Sequence, residues 1–61
     1  MKLEINTQFG PERHTLNSYQ SKKFKEWLEN PNSPNIFTYW KSGYNRHMIK
    51  PQIISLKYIE D

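Results

Sequence analysis

Cysteine, alanine and valine are all missing from the 61 residues, and glycine occurs only twice. Without cysteine there is no disulfide framework and no thiolate metal site to staple so short a chain. Chains of this length bury a small core and are marginal alone, so close local packing or assembly must supply stability. No apolar run approaches the roughly 18 residues of a membrane span. Met1-Lys2-Leu3-Glu4-Ile5 is charged and alternating, unlike the apolar core of a signal peptide. Dense carboxylates are lacking too: nine Lys and Arg stand against six Asp and Glu, a formal charge of +3. That sign argues against a DNA mimic and suits weak attraction to nucleic acid or to an acidic protein face. The expectation is a single compact domain over 1–61, in the cytoplasm of a bacterium or an infected host, with no membrane partner.

What is present is skewed towards Lys, Asn, Ile, Tyr and Phe. These residues have AT-rich codons, whereas alanine and valine need G at the first position. The composition points to an AT-rich genome, such as a low-GC bacterium, its plasmids or its phages.

Leu3 and Ile5 alternate with Lys2 and Glu4, the pattern of a half-buried strand. Gly10-Pro11 reads as its end, and Glu12 to Thr15 as a polar loop. Thr15, Asn17 and Ser18 are candidate N-caps. Leu16, Gln20, Phe24, Trp27 and Leu28 then fall on one helical stripe, with Lys22, Lys23, Lys25, Glu26 and Glu29 facing away. Asn30-Pro31 stops the helix, because the residue before proline disfavours the α region. A polar connector over 30–35 leads into residues 36–49, and Lys50-Pro51 separates these from a last strand over 53–59. In that strand Ile54, Leu56 and Tyr58 share one face. The predicted fold is α+β: an antiparallel sheet of three to four strands with one helix packed on one face, in the order β-α-β-β-β.

Residues 36–49 read as a hairpin about Ser42-Gly43. Any even-length loop puts Phe37, Tyr39, Lys41, Arg46 and Met48 on one face, and Ile36, Thr38, Trp40, His47 and Ile49 on the other. Both faces are apolar or aromatic, and one helix covers only one of them. Contiguous exposed patches of that kind mark interaction sites. Tyr39, Trp40, Tyr44, Arg46 and His47 are the candidate partner-binding residues, since Tyr, Trp and Arg dominate interface hot spots. The same mixture suits base stacking, with Lys22, Lys23, Lys25 and Lys41 as candidate nucleic-acid contacts, but no RNP-like segment or GxxG loop accompanies it.

Catalysis needs a converging acid, base or nucleophile in a pocket, and His14, His47 and six scattered carboxylates form no such cluster. Glu12-x-His14 could place two ligands on one side of a strand, yet a lone pair falls short of a metal site. The expectation is a non-enzymatic chain with no cofactor, no metal and no small-molecule substrate.

Met48 to Leu56 resembles the closing strands of small bacterial and phage β-meander proteins, and size and residue choice resemble a phage or mobile-element product. That resemblance implies binding to a host or defence protein as inhibitor or regulator, or self-association as a dimer. The alternative is a small basic nucleic-acid-binding regulator using the lysines above and Arg46.

Overall fold

Two hairpins flank one helix, and a last strand returns to the first, in a computed structural model that describes residues 1–60. Asp61 of the acidic tail lies outside the described residues. The strands are β1 (Lys2–Thr7), β2 (Gly10–Thr15), β3 (Ile36–Lys41), β4 (Tyr44–Ile49) and β5 (Ile53–Glu60). Helix α1 spans Ser18–Glu29, and a 3-10 turn, Lys50–Gln52, links β4 to β5. The expected α+β class holds, but the order gains a strand before the helix. The strands also divide into two sheets, β2-β1-β5 and β3-β4, both antiparallel.

The added strand is β2, where a loop was expected. Its register with β1 runs from Thr7↔Gly10 to Lys2↔Thr15 around Gln8-Phe9. Gly10 takes φ +117°, which a side chain rarely allows. The Thr7 hydroxyl closes the turn, donating to the Gly10 carbonyl at 2.9 Å and accepting from the Phe9 N–H at 3.1 Å. Pro11 opposes Asn6, a position whose backbone nitrogen faces away from β1, so its missing N–H costs the ladder nothing.

On the outer side of this sheet Glu4 pairs with Arg13 at 3.5 Å and Asn6 donates to the Ser55 hydroxyl at 3.1 Å. The inner side carries Leu3, Ile5 and Thr7, all buried. Their β5 partners are Tyr58, Leu56 and Ile53, because bulges near Ile54 and Ile59 interrupt strict alternation. Ile54 is therefore thrown outward, 71% exposed, and Ile53 takes its place against the core.

Asn17 caps α1: its side chain accepts from the Gln20 N–H at 2.8 Å, and Gln20 returns a bond to the Asn17 N–H. Phe24 and Trp27 are buried and Leu28 is half-buried, as the stripe predicts. Leu16, expected on the same stripe, instead precedes the Asn17 cap and reaches the core from the connection between β2 and α1. The rings of Phe24 and Trp27 pack on Phe37, with centroids 5.7 and 5.5 Å away. Tyr39, Met48, Leu3, Ile5 and Leu16 complete the core beneath the helix.

Candidate functional site

The β3-β4 hairpin carries the candidate site, and its turn decides which side chains are available. Ser42 and Gly43 both have positive φ, 53° and 91°, the combination that a two-residue type I′ turn demands. Lys41 then pairs with Tyr44, Tyr39 with Arg46 and Phe37 with Met48 on the inner side. On the outer side Trp40 opposes Asn45, Thr38 opposes His47, and Ile36 opposes Ile49. The helix and the three-stranded sheet cover the inner set. Outside, Ile36 is 52% and Trp40 61% exposed, and Thr38 and His47 join across the strands at 2.8 Å.

The five partner-binding candidates do not lie on one surface. Trp40 and His47 stand on the outer face. Tyr44 is exposed at the tip, on the inner side beyond the edge of the core. Arg46 is half-buried and reaches the Arg13 carbonyl of β2 with a long 3.5 Å contact. Tyr39 is buried in the core and is corrected out of the set: its ring packs near Phe37 and its hydroxyl meets His14.

That contact belongs to a chain linking the two sheets. His14 Nε2 lies 3.1 Å from a Glu12 oxygen and Nδ1 lies 2.7 Å from the Tyr39 hydroxyl. A carboxylate only accepts, so Nε2 carries the hydrogen and Nδ1 accepts from Tyr39. Burial lowers the His14 pKa from 6.5; Glu12 pulls it up, while Arg46 and Lys41 push it down. Burial likewise raises that of Tyr39, keeping the phenol protonated as the donor. The polar loop expected over Glu12 to Thr15 is thereby corrected: alternation along β2 turns Glu12 and His14 inward. Among the described residues no three of His, Cys, Asp and Glu gather as metal ligands.

The four lysines divide between different surroundings. Lys22, Lys23 and Lys25 are exposed on α1. Lys23 lies near the Tyr19 ring on the β3 flank, whereas Lys25 lies over Tyr58 on the β5 flank. Lys41 is half-buried beside the hairpin turn.

Between α1 and β3 runs a groove of about 410 Å³ lined by Tyr19, Gln20, Lys23, Thr38 and Trp40 among others. A second hollow of about 280 Å³ continues it past Gln20 towards Lys41. Gln20 divides the two by donating from Nε2 to the Trp40 carbonyl at 2.8 Å. Tyr19 and Gln20 were absent from the expected site. The only signal available was Gln20 itself, the one polar residue in the helix stripe. No helix among the described residues is long and apolar enough to cross a membrane. No family model matches the chain, and comparison with curated proteins and with solved structures finds nothing similar to it.

Proposed function

We propose that this chain is a small non-enzymatic binding protein that engages a protein partner through the outer face of the β3-β4 hairpin. One observation carries the reading: Ile36 and Trp40 stay more than half exposed on a ribbon whose opposite face is already packed. Full burial of a large apolar side chain contributes about 1.5–3 kcal/mol, and a partner that covers these two half-exposed ones recovers roughly half of that for each. In its sharpest form the chain is a phage or mobile-element product that inhibits or redirects a host or defence protein in the cytoplasm. Pairing of two copies through the same face is the self-associating version.

The second reading is a nucleic-acid-binding regulator using Lys22, Lys23, Lys25, Lys41 and Arg46. The grouping of Tyr19, Lys23 and Trp40 favours it, since aromatic and cationic groups together bind single strands. Against it, Lys25 lies on the far flank of the helix and Arg46 is turned towards a carbonyl.

The test compares wild type with Trp40→Ala and Ile36→Lys in affinity capture from a bacterial lysate, followed by titration of the purified partner. Each variant is expected to weaken the complex by tenfold or more, about 1.4 kcal/mol, with melting unchanged. Wild-type affinity in both would overturn the reading. Binding to oligonucleotides that falls steeply with salt would replace it with the second.

A further inference from the structure

The hairpin register leaves one row of backbone groups on β3 facing away from β4. In an antiparallel pair with a two-residue turn, Lys41, Tyr39 and Phe37 exchange both backbone bonds with their partners. The N–H and C=O groups of Ile36, Thr38 and Trp40 therefore point outward. No strand pairs with that side among the described residues. The Trp40 carbonyl shows the direction directly, because it accepts from the Gln20 amide at 2.8 Å. An amide N–H on an edge carbonyl is the bond that a neighbouring strand would make.

We infer that the groove along this edge takes an extended acidic peptide of a protein partner, added as a strand beside β3. The inference deepens the proposed function and rests on the hairpin being the binding element. Alternating donors and acceptors on the edge match a peptide backbone, and alternate side chains of the added strand read the walls. Charge sets the sign: Lys23 and Lys41 line the two hollows, and no carboxylate does. Glu26 holds Lys23 only at 3.9 Å with both side chains half-exposed, so that lysine remains available. A second copy of the chain paired through β3 would bring its own Lys41, with Lys23 of its helix beside it, to the same groove, which disfavours self-pairing there. A phosphodiester backbone offers acceptors without donors, so half of the edge would go unmatched.

The test uses a short fluorescent peptide alternating valine and glutamate, followed by anisotropy against the unmodified protein. Two further peptides carry N-methyl groups on alternate backbone nitrogens, in one register or the other. Saturable binding is expected for the parent and for one methylated register only, with at least a tenfold loss in the other. Lys23→Glu should weaken the parent peptide by about tenfold. Thr38→Pro should abolish binding, since it removes an outward N–H and spares the backbone bonds to β4, whereas Thr38→Val, which loses only the hydroxyl bond to His47, should bind as wild type. Should Thr38→Pro unfold, the methylated peptides still decide, because they leave the protein intact. Equal binding of both methylated registers, equal binding of a valine-lysine peptide, or tighter binding of a short oligothymidine would overturn the inference. If the peptide fails while Trp40→Ala and Ile36→Lys still abolish partner capture, strand addition falls and the outer-face reading stands. If the peptide binds in one register while those variants capture normally, the edge survives and the outer face does not.

Discussion

A proton on His14 Nδ1 would break the bond that it accepts from Tyr39. Because burial lowers this imidazole's pKa, the unfolded chain takes up the proton first as the pH falls. Stability is complete above about 6.5 and declines below it, until the folded imidazole also titrates. We expect the urea midpoint to fall on acidification through that window, and His14→Gln to flatten the decline. Tyr39→Phe leaves the imidazole nitrogen without its donor and should cost about 1–3 kcal/mol at neutral pH. An unchanged midpoint in Tyr39→Phe would remove the sheet-bridging role. At this scale little was legible. His14 looked solvated because Gly10-Pro11 resembles a stop, and only the pairing with β1 shows that this proline lies where no N–H is needed.

Among the elements, α1 ends without a basic residue in its last turn, yet its C-terminal carbonyls are not left to water. Lys50, far along the chain, donates from Nζ to the Trp27 and Asn30 carbonyls at 2.9 and 3.1 Å and lies 5.0 Å from the Trp27 ring centre. The Ser33 hydroxyl sits within 2.7 Å of the same two carbonyls. A cation there complements the helix dipole and three donors are satisfied at once. Lys50→Met keeps the stem and removes these bonds, so it should destabilise by about 1–2 kcal/mol, lowering Tm by about 4–16 °C. A melting curve unchanged by that substitution would show the contact to be incidental. The helix stripe, its stop at Asn30-Pro31 and the hairpin parity were all readable, since each rests on local periodicity or turn chemistry. The cap from Lys50 and the bulge at Ile54 were not, because both exist only once distant segments meet.

For the whole molecule the decisive pairing is β1 with β5. Ile5 lies opposite Leu56, 51 positions later (56 − 5), and no local pattern announces such a partner. This is why one sheet was expected and two were found. Hairpins alone are marginal in water, so deleting 53–60 should unfold the entire chain, with circular dichroism showing no residual cooperative transition. A surviving sharp transition would mean that α1 and the hairpins fold without β5. Pairing at this separation also predicts folding on the millisecond-to-second scale rather than in microseconds.

The central position of β1 has a consequence for the chain's birth. During synthesis from the N-terminus, β1 waits for its second neighbour until β5 is made. The hairpin Ile36–Ile49, apolar on both faces, emerges before that neighbour does. In the finished molecule only its outer face is bare. On the nascent chain the sheet that backs its inner face is still one strand short, and during that interval the hairpin is a target for chaperones and for misassembly.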